Sequence, residues 1–324
     1  MKKLVKMWIS MFMMVCLVGS MVMAAECKVK ANDNEKIIGL VVHNLDDNYV
    51  SYLVDAFEKK VEDLEGYRLV VLDSKGDVNT ESQNITNLIS MKAAGIILHC
   101  VDSNACENYI TQCREASIPI LTTKTLYSSE KPDANIIMDS HDAGVAQAEG
   151  LIAQMGEEGN VIVLLGELGS EYTNERTDGN KEVFERYEGI KVVTEECANW
   201  SRAEAMTIVE NLLQSGQQFK GIICNNDEMA IGAGLAIQGQ GLDLDDYYIA
   251  GIDSTPEGLS AISEGLMDVS IFDNVVDLAA TAVDTLLKIL DGDEVEENIN
   301  LECTVITEEN IEECQTVWDT LVEA

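Results

Sequence analysis

Eleven short apolar runs rich in Val and Ile recur along this chain, and the segments between them carry apolar residues at helical spacing. That alternation constrains the fold more than any other feature. The runs are "IIGLVV", "YRLVVLD", "AGIILHCV", "IPILTT", "NIIMD", "NVIVLLG", "IKVVTE", "GIICN", "YIAGID", "VSIFD" and "CTVIT". Helical periodicity lies between them, for example over 49–64, 82–91, 104–116, 143–155, 202–213, 229–238 and 275–290. A strand that is apolar on both faces must be covered on both faces, so the pattern predicts an α/β fold of parallel sheets wrapped by helices. Eleven strands are many for one sheet. Their order divides into two units, about 37–139 and 140–273, which predicts two doubly wound lobes facing each other. With 324 residues and 46% hydrophobic content the chain can build both cores.

Residues 1–25 place Lys2, Lys3 and Lys6 before an apolar stretch from Met7 to Met23, followed by Ala24 and Ala25. Basic, apolar and small residues in that order predict an export signal, either cleaved near Ala24 or Ala25 or partly retained. The competing reading is a membrane helix, since the run is nearly long enough to span a bilayer. Cys27 follows Glu26 rather than a small residue, which disfavours a lipid anchor. The expected location is the periplasm or the outer face of the cell membrane. The formal net charge is −37, and removing the leader takes away three lysines and no acids. Such a surface repels nucleic acid and anionic lipid. The cysteines beyond the leader show no CxxC and no metal-ligand spacing. Those inside "IILHC" and "IIC" read as buried thiols, with a Cys303–Cys314 bridge as an alternative.

In doubly wound sheets, ligands bind beyond the carboxyl ends of the strands. The residues there are Asp46 and Asp47; Asp73; His99 and Asp102; Thr123, Lys124 and Thr125; Asp139; Glu167 and Gly169; Asn225 to Glu228; Asp253; and Asp273 with Asn274. Nearly all are polar, and many are acceptors. A carboxylate pair could make a glycoside hydrolase, but in a chain with surplus acids any one pair is weak evidence. Phosphate chemistry is disfavoured because no GxxxxGK[ST] occurs and no GxGxxG follows a strand. There is no GxSxG nucleophile elbow and no complete calcium loop. No cofactor and no metal are expected. A neutral polyol fits better, because Asp and Asn can each grip adjacent hydroxyls while an aromatic ring stacks on the C–H face. Trp200 and Tyr49 are the candidate rings.

The segments "LDDNYVS", "VDS", "CNNDEMAIGA" and "GIDSTPEGL" together resemble the type I periplasmic sugar-binding proteins, the receptor subunits of sugar importers, over nearly all the chain past Lys36. The resemblance implies two Rossmann-like lobes joined by three crossings, near Asp139–Ser140, Asp273–Asn274 and Cys303–Thr304. Lobe one would then be 35–139 plus 274–303, and lobe two 140–273 plus 304–324. It also implies a ligand set. Asp47 matches the acid after the first strand, and Tyr49 an aromatic that follows it. His99 falls where an Asn is frequent. Arg176 matches an arginine that contacts the sugar, Trp200 the stacking aromatic, and Asn226 and Asp253 the amide and acid of the second lobe. Asp273 stands at the place of a Gln or Asn near a crossing. Lys124 and Thr125 depart from the Asp–Arg of the ribose type, and Lys124 with Asp139 completes the candidate site. Asp46 is expected to be a turn or helix-capping acid.

The implied activity is capture of one neutral monosaccharide, aldohexose-like, or of a cyclitol, by hinge closure, with no catalysis. The implied partner is the membrane permease of an ABC importer, served by a monomer; a chemotaxis or kinase receptor is the alternative. A transcription regulator of similar core would need an amino-terminal helix-turn-helix where this chain has its leader.

Overall fold

The computed structural model describes residues 35–123 and 130–322. The leader and Lys124 lie outside them. Ten helices and twelve strands occur among the described residues. The first sheet has the order β11-β5-β4-β3-β1-β2, all parallel, formed by β1 (Lys36–Val42), β2 (Tyr67–Asp73), β3 (Gly95–His99), β4 (Ile120–Thr123), β5 (Ala134–Met138) and β11 (Asn298–Leu301). The second has the order β7-β6-β8-β9, also parallel, from β6 (Glu158–Leu165), β7 (Gly189–Cys197), β8 (Gly221–Cys224) and β9 (Tyr248–Ala250).

Two features differ from the sequence expectation. β11 was not among the eleven runs: "NINL" alternates polar and apolar residues because it lies at a sheet edge. β10 (Ser270–Phe272) and β12 (Thr304–Ile306), the runs "VSIFD" and "CTVIT", pair antiparallel as a ribbon; β10 continues the second sheet only through isolated parallel bridges, Ala250 to Val269 and Asp253 to Phe272.

Both sheets are covered on both faces, as their strands require. In β1, Ile38, Leu40 and Val42 face a core built with α1 (Asn48–Glu62) and α9 (Val275–Asp291). Ile37 and Val41 point the other way, toward Ile85 and Leu88 of α2 (Val78–Ser90) and Tyr109 and Ile110 of α3 (Ser103–Glu115). In β6, Ile162 and Leu164 join the side of α6 (Arg202–Gln214) and α7 (Asp227–Gly239). Val161 and Val163 pack toward α4 (Ser140–Met155) and α5 (Glu171–Phe184). Helices α8 (Pro256–Ser263) and α10 (Ile311–Val322) complete the second half, and Trp318 of α10 is fully buried with its indole N–H donating to the Ser254 carbonyl at 2.8 Å.

The strand-end acids have a common physical role. Asp47, Asp77, Asp102 and Asp139 are the N-caps of α1, α2, α3 and α4, each accepting backbone N–H bonds that the first helical turn cannot satisfy internally. The cap of α1 is therefore Asp47, while Asp46 lies in the turn before it, the other role expected of that residue. All seven cysteines among the described residues are free thiols, so Cys303 and Cys314 are not bridged.

Candidate functional site

Strand order places the site. In the first sheet β1 lies between β2 and β3, and in the second β6 lies between β7 and β8, so each sheet has its switch point at the strand opening its unit. The loops leaving β1, β3, β6 and β8 line one shared cavity of about 740 Å³. Its wall comes from His43, Asn44, 46–49 and 99–104 on the first side, and from 167–172, Arg176, 199–203, Asn226, Glu228 and Asp253 on the second, with Gly76 and Val78 at the margin.

Of the predicted residues, Asp47, Tyr49, His99, Arg176, Trp200, Asn226 and Asp253 all reach this wall. Asp139 does not: it is exposed and both its bonds, from the N–H groups of His141 at 2.9 Å and Asp142 at 3.0 Å, serve the cap of α4. Asp273 is buried outside the wall formed by the described residues, its N–H 3.4 Å from the Asp253 carbonyl. Lys124 lies outside the described residues.

On the first side, Asp47 divides its carboxylate. Oδ1 accepts the Tyr49 N–H at 2.9 Å, and Oδ2 is 3.8 Å from His43 Nε2. Asp46, exposed, is a second wall acid. Tyr49 is buried, and burial first, then the Asp253 carboxylate, pushes its hydroxyl well above the ordinary tyrosine range, so it stays a neutral donor. His99 is buried with Nδ1 2.9 Å from Thr123 Oγ1. Its ring lies 5.1 Å from that of His43 and stacks, 5.9 Å away and 12° from parallel, on Tyr172 of α5 across the cavity.

On the second side, three devices hold three groups. Arg176 is only 5% exposed; its Nη1 donates to the Asn225 carbonyl at 2.5 Å and lies 3.7 Å from Asp253 Oδ1. Its Nε has no hydrogen-bond partner among the described residues. A buried guanidinium N–H left unpaired in a cavity wall is a ready donor for a ligand oxygen. The arginine can sit there because α4 and α5 touch backbone to backbone: a Cβ on Gly144 would fall 2.1 Å from the Arg176 carbonyl oxygen. Trp200 has φ +61° beside Asn199 at +49°, and its ring rests on Gly166, where a Cβ would lie 2.1 Å from Cζ2. Asn226 caps α7 through Oδ1, which accepts the Met229 N–H at 3.0 Å, while its Nδ2 lies 3.5 Å from the Trp200 carbonyl.

Asp253 carries the most strained backbone of the site, φ +117°, followed by Ser254 at +47°. Buried Asp227 fixes this loop from behind. Its Oδ2 accepts the Thr255 N–H at 3.0 Å, its Oδ1 the Ser270 hydroxyl at 2.6 Å, and its own N–H donates to the Ile252 carbonyl at 2.8 Å. Burial, then the neighbouring Asp253 charge, raises the Asp227 carboxyl well above the carboxylate range.

Sequence reasoning missed His43, Asn48, Tyr172 and Arg202, and gave Glu228 no role although it stood among the strand-end residues. Tyr172 lay three residues past Gly169, beyond the strand-end window; position relative to the switch point was the usable signal. Among the described residues of the wall, Asp46, Asp47, Asp102, Glu167, Glu171, Glu228 and Asp253 face two guanidinium groups, Arg176 and Arg202, of which Arg202 is engaged bidentately by Glu228. A wall rich in acceptors suits a ligand rich in hydroxyl donors and opposes an anion.

Comparison with known proteins agrees. The family described as periplasmic binding protein domain matches residues 38–294. A protein of Rhizobium meliloti named for rhizopine binding is 29% identical over 90% of this chain and 96% of its own. The ribose import binding protein of Haemophilus influenzae is 30% identical over 84% and 91%. Among solved structures, an ABC transporter solute binding protein of Bacillus halodurans with bound myo-inositol superposes with a TM-score of 0.83 at 32% identity, covering 89% of this chain and 99% of that one. With the two facing switch points, the shared cavity and a family match over most of its length, this chain belongs to the periplasmic binding proteins.

Proposed function

We propose that the protein is an exported solute-binding receptor that captures a neutral monosaccharide or cyclitol between two lobes and presents it to the membrane permease of an ABC importer. The observation that carries the reading is the acceptor-rich cavity at two facing switch points, with the buried Arg176 Nε as donor. Six ring hydroxyls of a cyclitol, or the hydroxyls of a hexose, would donate to Asp47, Asp253 and their neighbours, and Trp200 would cover a C–H face. Bound to both lobes, the ligand favours the closed arrangement. No covalent step is required. We place lobe one at 35–139 plus 274–303 and lobe two at 140–273 plus 304–324, which the strand membership of the two sheets supports. The receptor is proposed to act as a monomer, after export directed by residues 1–25. No helix among the described residues is long and apolar enough to cross a membrane.

A thermal-shift panel of neutral monosaccharides and cyclitols tests the reading. At least one compound should raise the melting temperature, and Asp253→Ala or Trp200→Ala should remove that shift. Binding of a peptide or an anion, with every polyol inert, would sink it.

A further inference from the structure

Two hydrogen bonds join the halves beside the cavity, and both start from one face of α1. Asn48 Nδ2 donates to Glu228 Oε1 at 2.9 Å, and the Tyr52 hydroxyl meets both carboxylate oxygens of Glu257, at 2.9 and 3.1 Å. Asn48 and Tyr52 are four residues apart, so they stack on the same stripe of the helix. Their acceptors also match: Glu228 is the second residue of α7 and Glu257 the second of α8, where the helix amino-terminus stabilises negative charge. Glu228 is oriented in advance, since Arg202 Nε and Nη2 hold its two oxygens at 2.8 and 2.6 Å. The Tyr52 ring also meets the second lobe, 5.0 Å from the Trp318 ring.

We propose that this face of α1 is a latch: Asn48 and Tyr52 engage Glu228 and Glu257 when the lobes close, and the latch sets how long the ligand stays, its Tyr52–Glu257 half without touching the ligand. Asn48 directly follows Asp47, so the latch draws in the same lip that carries the ligand acid. Tyr52 and Glu257 stand outside the cavity wall and act as positioning residues only. A contact present only in the closed form adds to its population and slows opening, leaving the encounter step alone. The Tyr52 hydroxyl is kept protonated, and so a donor, by burial and by the Glu257 carboxylate.

The inference rests on ligand capture in the cavity, and the test separates the two. Tyr52→Phe keeps the ring on Trp318 and removes only the hydroxyl; Glu257→Ala removes the acceptor. Stopped-flow tryptophan fluorescence with myo-inositol as probe should give a release rate raised about tenfold or more in Tyr52→Phe, the order expected for one hydrogen bond to a charged group. The association rate should stay within about twofold, and the double variant should release no faster than either single one, because both remove the same bond. Small-angle scattering of the protein without probe should show a larger radius of gyration in both variants. Unchanged release and unchanged radius overturn the latch, as does a fall in association rate alone. If myo-inositol does not bind the parent protein, the scattering comparison decides the latch by itself, and the ligand reading is judged separately by the polyol panel.

Discussion

Trp200 owes its position to an absence, the missing side chain of Gly166, and to a left-handed backbone that a tryptophan adopts only when its surroundings enforce it. Gly166→Ala should therefore displace the ring and weaken polyol binding by at least about tenfold, while the fold persists with a loss of about 1–3 kcal/mol from overpacking. Titration calorimetry and a urea melt read the two effects separately. A second residue sets a pH dependence. Glu81 of α2 is buried, accepts the Val101 N–H at 2.8 Å and so props the loop that carries Asp102 into the wall. Burial pushes its carboxyl up to about 7. A raised acid binds its proton more tightly folded than unfolded, so its favourable contribution is full below the ordinary glutamate range and is lost as pH rises toward about 7. Glu81→Gln should accordingly reduce the decline in melting temperature between about pH 5 and pH 7. An identical decline in the variant would show that Glu81 ionises normally.

At the scale of elements, α4 and α5 approach so closely that glycines line the contact from both sides: Gly144 lies against the Arg176 carbonyl, and a Cβ on Gly179 would come within 2.2 Å of the His141 carbonyl. Gly144→Ala should wedge the pair apart, cost about 1–3 kcal/mol in a denaturant melt, and shift Arg176 enough to lower affinity as well. This contact also shows where sequence reading stops. The strongly periodic α1 and α9, and strands whose alternate residues feed opposite cores, were legible because burial writes itself as period 3.6 or as unbroken Val and Ile. Helix α5, "EYTNERTDGNKEVF", shows neither sign, since apart from Val183 and Phe184 at its end its buried face is made of Thr173, Arg176, Thr177, Gly179 and Asn180, polar or small residues that serve the site and the close packing. The acids after the strands were legible as strand ends, but capping and ligand contact use the same residue types, so Asp139 could not be told from Asp47 until their surroundings were known.

For the whole molecule, a net charge of −37 means that acids repel one another across much of the surface, with ion pairs such as Lys60–Asp284 and Lys181–Glu195 offsetting only part. Screening should relieve that repulsion: raising sodium chloride from about 10 mM to about 500 mM, which contracts the Debye length from roughly 30 Å to a few ångströms, should raise the melting temperature by a few degrees in calorimetry. A flat response would mean that the acids are paired more completely than the ion pairs indicate. The path of the chain carries a different consequence. β5 stays an open sheet edge until β11 arrives some 160 residues later, and β10 has no ribbon partner until β12, which directly follows β11. A ribosome or a translocation channel releasing this chain in order thus delivers two unfinished halves until its closing segment emerges. The cavity, assembled from both, then comes into being in one late step, and a polypeptide cut short by even its last tenth should leave no receptor with reduced affinity, only chain that never becomes one.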